Sequence, residues 1–470
     1  MKRNISALFV LLLLVSFGLA QTAKTATDLE ANLRKHVEYL ASDKLEGRRA
    51  GEPGANLAGE YVAEQFRKIG LRPGGDKNGK PGYKQAFSYT PVRDPHSTPA
   101  DPTSAPVAPN AKQTFNVIGI LPGHDPVLKN EAIVIGAHYD HLGHGGPGSL
   151  AANSTEIHHG ADDNASGTAA VIELARQFAK DKKNKRTVIF MAFSGEEDGL
   201  FGSKYYVNNP VWPLEKTIAM INLDMVGRLS GDKLNVGGIG TATDWKQLVE
   251  LENKYHGTRN GLVPERIPTP RIPMESEATK VTVSQVVSLA SLFNLQLNED
   301  GFGPSDHSSF YGKQIPVLFF FTGTHLDYHK PSDTAEKINY AGEAKLIGYV
   351  AAISKAIDEN RTRPTYAVAK SSNTGGRTTF SVSLGTIPSY ADSTDGMVLD
   401  GVRDDSPASR AGLKKDDKVI KLAGKDIKNV YDYTAALGEM KPDVEYEVVI
   451  KRGNETLTLK IVPAPAARRQ

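Results

Sequence analysis

The 470-residue chain reads as an α/β domain built on a mostly parallel central sheet with helices on both faces, followed by a small β-rich domain. Three observations predict this. Four short apolar runs, Ala132–Ala137, Thr187–Phe193, Ile218–Leu223 and Pro316–Phe321, are nearly continuous in hydrophobicity, as strands buried on both faces must be. Helical or loop stretches separate them, which suits right-handed crossovers between parallel neighbours. Beyond a linker, shorter β-rich runs recur at Thr379–Thr386, Gly396–Val402, Lys418–Leu422 and Glu445–Lys451.

Taken in order, residues 1–20 carry Lys2 and Arg3, an apolar run from Ile5, and Gly18-Leu19-Ala20 before Gln21. A basic start, a short apolar stretch and small residues at the end describe a secretory signal peptide, and the run is short for a bilayer span. The expected location is therefore exported, periplasmic or secreted in a bacterium, with no stable membrane span after cleavage. The absence of cysteine excludes disulfides and thiol catalysis. A net charge of +2 without a long basic run argues against nucleic acid as a partner. Residues 21–365 form the first domain. Leu29, Leu33, Val37 and Leu40, then Leu57, Tyr61, Val62, Phe66 and Ile69, predict helical structure between 28 and 70. Residues 91–110 are a Pro-rich surface excursion and 261–281 an insertion, each with a composition that offers little to pack. Residues 342–358 read as a closing helix.

The residues just past the four apolar runs are of one chemical kind: His138-Tyr139-Asp140, then Glu196-Glu197, then Asp224, then Asp327-Tyr328-His329 with Asp333 beyond. In open α/β sheets ligands bind beyond the carboxyl ends of the strands. Between the first two runs lies His158-His159-Gly160-Ala161-Asp162-Asp163-Asn164-Ala165-Ser166-Gly167, leading into a helix marked by Ala170, Val171, Leu174 and Phe178. A carboxylate ahead of a helix is often only a cap. Histidines and carboxylates converging from four strand ends make a metal site the economical explanation. His138, Asp162, Glu197, Asp224 and His329 are the candidate ligands. With one bridging carboxylate, assigned to Asp162, five groups make two three-ligand sets for two zinc ions. Glu196 is left free as general base. Asp140 and Asp333 are placed to hold an imidazole in its ligating tautomer. His141, His144, His158, His159 and His325 lie near the motifs and are not expected to be ligands.

These motifs, in this order, resemble the secreted di-zinc aminopeptidases, a family that also includes the glutamate carboxypeptidase II ectodomain and, more distantly, glutaminyl cyclases. The resemblance covers roughly residues 28–360. It implies that Asp162 bridges the metals, that Glu197 and His329 complete one and His138 and Asp224 the other, and that Glu196 later returns its proton to the leaving amine. It also implies a carbonyl-polarising task for Tyr328, a cis peptide at Asp162-Asp163, and a pocket-wall role for Asp306-His307.

Residues 366–377 read as a linker. Residues 378–465 carry Ser406-Pro407-Ala408, Ala411-Gly412-Leu413 and Asp416-Asp417-Lys418 and resemble a PDZ domain, with Ser383-Leu384-Gly385 in its carboxylate-binding loop. Relatives carry Gly-Asp at the place of Asp416-Asp417, so that turn must tolerate a side chain. The resemblance implies an extended peptide C-terminus as a partner, added as a strand; a packing module without peptide affinity is the alternative. The expected function is an exported zinc aminopeptidase that attacks peptides bearing a free N-terminus with a water activated by two metals. A carboxypeptidase or glutaminyl cyclase of the same fold, or a non-catalytic PDZ-mediated binding protein, are the alternatives.

Overall fold

The computed structural model describes residues 28–259 except 78, 91–110, 147 and 152–153, then 291–369, then 382–465 except 389–394, 403–404 and 429. The expectations for the signal peptide, the Pro-rich excursion and the 261–281 insertion lie outside these residues, as do residues 370–377 of the expected linker; its first residues are packed, Ala367 donating to the Thr241 carbonyl and Ala369 buried. Among the described residues no helix is long and apolar enough to cross a membrane.

In chain order the first unit contains α1 (28–40), α2 (Pro53–Ile69), β1 (Arg72–Pro73), the hairpin β2 (Gly75–Lys77) and β3 (Lys80–Gly82), β4 (Lys84–Tyr89), β5 (Lys112–Leu121) and β6 (Ala132–His138). It continues with α3 (Gly167–Asp181), β7 (Thr187–Phe193), α4 (Phe201–Asn208), β8 (Thr217–Leu223), β9 (Lys233–Gly237), α5 (Trp245–Arg259), β10 (Asn294–Leu297), α6 (His307–Tyr311), β11 (Val317–Phe321) and α7 (Tyr340–Glu359). The sheet runs β1-β5-β7-β6-β8-β11-β9-β10, with β4 on β5. Its central strands β7-β6-β8-β11 are parallel, while β5 and β9 run antiparallel to their inner neighbours, so the sheet is mixed with a parallel centre.

The continuous apolar runs follow from burial on both faces. In β6, Ile133, Ile135 and Ala137 face one core with Leu174 and Phe178 of α3. Ala132 and Val134 face the other, with Tyr206 of α4 and Phe310 of α6. Truncating a large side chain in either layer to Ala typically costs about 2–5 kcal/mol. Because the four central strands are parallel, their carboxyl ends open on one edge of the sheet, and every candidate ligand lies beyond that edge or on the turn before α3.

The second unit has a core of its own, including Met397, Leu399, Val419, Leu422 and Ile450. Its sheet runs Thr386–Pro388, Met397–Val402, Lys418–Leu422, Tyr446–Arg452 and Glu455–Ile461, with Lys425–Asp426 on the third strand. Residues 379–381 of the expected Thr379–Thr386 strand lie outside the described residues; the rest is Val382–Ser383 and the start of Thr386–Pro388, with Leu384 and Gly385, φ 74°, between them. Ser406 caps a short helix by accepting from the Ser409 amide at 3.1 Å. Asp416 takes the left-handed conformation, φ 68°, so the turn does accommodate a side chain there. Arg452 clamps the neighbouring Asp417 at 2.7 and 2.8 Å.

Candidate metal centre

The turn between Gly160 and Ser166 decides the site. Gly160 is left-handed, φ 56°, and Asp163 and Asn164 leave helical geometry before α3 begins. Asn164 ties the turn to the end of β8: its Nδ2 donates to the Leu223 carbonyl at 3.0 Å, and its Oδ1 accepts from the Gly167 and Met225 amides at 2.8 and 3.2 Å. Asp333 Oδ2 accepts the amides of Asp162 and Asp163, at 2.9 and 3.1 Å. These restraints send the two adjacent carboxylates in different directions.

Asp163, not Asp162, reaches the histidines. Nε2 of His138 lies 3.4 Å from Asp163 Oδ1 and 3.3 Å from Asp224 Oδ1. Nε2 of His329 lies 3.1 Å from Asp163 Oδ2 and 3.2 Å from Glu197 Oε2. Asp162 faces away: Oδ1 accepts from the Gly227 amide at 2.7 Å and the Ser166 hydroxyl at 3.1 Å, and Oδ2 lies 3.1 Å from His325 Nε2. Asp162, expected between the two histidine groups, therefore does not stand there; its neighbour Asp163 does, while backbone and hydroxyl donors occupy Asp162. The cis peptide likewise falls at Asp163-Asn164 rather than Asp162-Asp163.

Two groups of ligand-type side chains thus share Asp163: His138, Asp163 and Asp224 in one, and His141 with Asp163 and Glu197 in the other, where His329 also reaches both carboxylates. The separations match a metal site, since ligands about 2.1 Å from one tetrahedral zinc lie about 3.4 Å apart. Both outer histidines are held as such ligands are. His329 Nδ1 lies 2.8 Å from the Gly148 carbonyl and His138 Nδ1 3.2 Å from the Asp140 carbonyl, which leaves each Nε2 free to bind. His141, not expected at the site, lies 2.8 Å from Glu197 Oε1 through Nδ1.

The remaining expected residues are near but differently employed. The Asp140 carboxylate stands 3.8 Å from His138 Nδ1, and its Oδ1 accepts the Glu196 amide at 3.3 Å, so its nearest donor belongs to the Glu196 backbone. Asp333 holds the turn through backbone amides; the expectation that it holds an imidazole is corrected. Tyr328 lies flat on the His329 ring, centroids 3.8 Å apart, beside an apolar wall of Met225, Phe319 and Phe321. His307 stacks on Phe319 at 4.4 Å, which puts Asp306-His307 against that wall. Glu196 Oε2 stands 4.0 Å from His138 Nε2, beside the first group and a member of neither.

Residues 116–353, about half of the chain, match the model for Peptidase family M28, and residues 383–462 match a PDZ domain. The chain belongs to Peptidase family M28. The peptidase is 28% identical to leupeptin-inactivating enzyme 1 of Streptomyces exfoliatus over 277 residues, which cover 58% of this chain and 50% of that protein. It is 33% identical to leucine aminopeptidase 1 of Trichophyton rubrum over 136 residues, 27% of this chain and 34% of that one. The chain spans about half or less of the length of these curated relatives. Among solved structures, the zinc aminopeptidase BSAP from Bacillus subtilis aligns over 72% of this chain and 98% of its own, at 16% identity and a TM-score of 0.47. The aminopeptidase of Aneurinibacillus sp. strain AM-1 aligns over 73% and 96%, at 18% identity and a TM-score of 0.46.

The electrostatics of the peptidase suit a cation. Asp140, Asp163, Glu196, Glu197, Asp224 and Asp306 crowd three histidines in a site that burial has largely stripped of water. Burial, reinforced by Glu197, Asp224 and Asp306, lifts Glu196 well above the usual carboxylate range, against the opposing pull of His138. Burial raises Asp140 to about 7, opposed by His138. Burial acts on Glu197 in the same sense, yet His329 and His141 outweigh it and hold Glu197 at about 2. His329 is correspondingly raised to about 10 by Glu197 and Asp163, against its own burial. Behind the site, the buried guanidinium of Arg48 donates to the carbonyls of Leu40, Tyr139, His159 and Gly160, which joins the first helix to both ligand-bearing loops.

Proposed function

We propose that this chain is an exported di-zinc aminopeptidase in which Asp163 bridges the ions, His138 and Asp224 complete one set and Glu197 and His329 the other. One observation carries the reading: two histidine–carboxylate groups share the two oxygens of a single buried aspartate, with a further carboxylate, Glu196, beside them and unshared. When bound, the zinc pair supplies the Lewis acidity that acidifies an attacking water and draws charge from the scissile carbonyl. Glu196 takes the proton from that water and returns it to the departing amine, a task suited to a carboxylate whose burial raises its proton affinity. Asp140 orients it by accepting its backbone amide. The wall of Met225, Phe319, Phe321 and Tyr328 excludes water and supports an apolar side chain at the substrate's N-terminal residue. The acidic surroundings supply a counter-charge for a free ammonium group, which favours an aminopeptidase over a carboxypeptidase. The PDZ unit, by the same reading, holds an extended peptide C-terminus.

The test uses the full chain. Glu196→Gln should lower kcat on aminoacyl chromogenic substrates by about 10²–10⁴-fold while zinc content is unchanged. N-acetylated substrates should not be cleaved by the unmodified enzyme. Undiminished turnover in the variant, or equal cleavage of blocked substrates, overturns the reading.

A further inference from the structure

His141 is the one histidine at the site whose role the sequence does not announce, and it could act in two ways. Nδ1 lies 2.8 Å from Glu197 Oε1 and 3.8 Å from Asp163 Oδ2, so it could either ligate an ion or donate a proton to Glu197. The far side of the ring decides between them. A ligating imidazole carries its proton on the other nitrogen and hands it to an acceptor. His329 and His138 each have a carbonyl oxygen there. Nε2 of His141 is buried and meets no hydrogen-bonding partner among the described residues. Were Nδ1 a ligand, Nε2 would carry a buried N–H with nowhere to donate, which costs about 1–3 kcal/mol. With the proton on Nδ1, that proton has an acceptor at 2.8 Å and the unpartnered Nε2 is a bare acceptor, which folded proteins tolerate more often than an orphaned N–H.

The ring has no freedom to choose otherwise. The His141 amide donates to the Arg48 carbonyl at 3.1 Å, which fixes the backbone. The ring lies against Gly160, where a β-carbon would come within 2.5 Å of its Cγ and Cδ2. The glycine that opens the Asp163 turn is therefore also the space that admits this imidazole.

We propose that His141 is a positioning residue: it donates Nδ1–H to Glu197 Oε1 and so presents Oε2 to the site shared with Asp163 and His329. This rests on the two-zinc reading above. The divided use of the carboxylate supports it, since Oε1 faces His141 at 2.8 Å while Oε2 faces His329 at 3.2 Å.

The test is metal retention by the full-length chain, read with cobalt(II) in place of zinc by stoichiometry, chelator competition and the visible spectrum. In His141→Asn the side-chain amide nitrogen takes the place of Nδ1 and restores the donor. In His141→Leu there is no donor, and in His141→Gln the amide sits one bond too far. H141N should hold both ions within about threefold of the unmodified chain. H141L and H141Q should bind one of the two ions about 10–100-fold more weakly, the usual effect of losing such a partner. H141Q stands in if H141L does not fold. Equal loosening in all three variants overturns the proposal in favour of ligation or simple packing, and no loosening in any of them overturns it outright. An unmodified chain that holds other than two ions overturns the two-zinc reading instead, and is seen in the same titration.

Discussion

Replacing Asp163 with Asn removes the only carboxylate among the described residues that both histidine groups use, whereas replacing Asp162 with Asn changes a group that neither uses. The structure sizes the contrast. Asp163 Oδ1 serves the His138 group at 3.4 Å and Oδ2 serves His329 at 3.1 Å. Losing a partner that merely supports a ligand weakens metal binding by about 10–100-fold, so losing a charged ligand common to both sites should exceed that at each. D163N should therefore emerge from dialysis against a mild chelator with both ions gone. In D162N, the retained amide oxygen still accepts from Gly227 and Ser166, and only the contact to His325 loses its charge. That costs about 1–3 kcal/mol, a fall in melting temperature of about 2–10 °C for a domain of this size. D162N should keep close to two ions. Elemental analysis of the dialysed proteins beside thermal melts reads both effects. If D162N empties the site while D163N remains loaded, the assignment of the bridge is wrong.

Two further outcomes follow from the same geometry. Arg48→Met should leave several buried carbonyls without a donor, at about 1–3 kcal/mol each. The expected destabilisation is roughly 3–5 kcal/mol, with Arg48→Lys intermediate; denaturant titration reads it, and a change below about 0.5 kcal/mol contradicts the role of this guanidinium. In the metal-free protein, His329 is raised from 6.5 to about 10, so its stabilising contribution is full below pH 6.5 and is lost as pH rises through 10. Glu197, lowered from 4.5 to about 2, contributes above pH 4.5 and loses that contribution as pH falls through 2. Metal-free melts should thus decline on the alkaline side above pH 6.5, and zinc, which displaces the imidazole proton, should remove that decline. A metal-free stability that stays flat from pH 6.5 to 10 counts against the imidazole–carboxylate pairing.

Much of this is legible in the amino-acid sequence. The four central strands were readable because burial on both faces leaves an uninterrupted apolar run, and their ends delivered His138, Glu196, Glu197 and Asp224 to one edge. The choice between Asp162 and Asp163 was not legible. The two are adjacent, chemically identical and equally close to α3, and what separates them is a left-handed glycine and the anchoring of Asn164 on β8. His141 escaped for a related reason: the strand ends at His138, and only the approach of residues 47–49 keeps the chain beyond it directed at the site. One signal was available, since His138 and His141 bracket Asp140 within four residues of a strand end. The strand Glu455–Ile461 is missing from the sequence reading, although the alternation of Leu457, Leu459 and Ile461 with Thr456, Thr458 and Lys460 marks it.

If one aspartate, Asp163, holds two ions, crystals of the zinc-loaded protein measured at the zinc absorption edge should show two anomalous peaks about 3.5–4 Å apart, one on each side of the Asp163 carboxylate, with Glu196 free of both. A single peak, or a pair centred on Asp162, would contradict it.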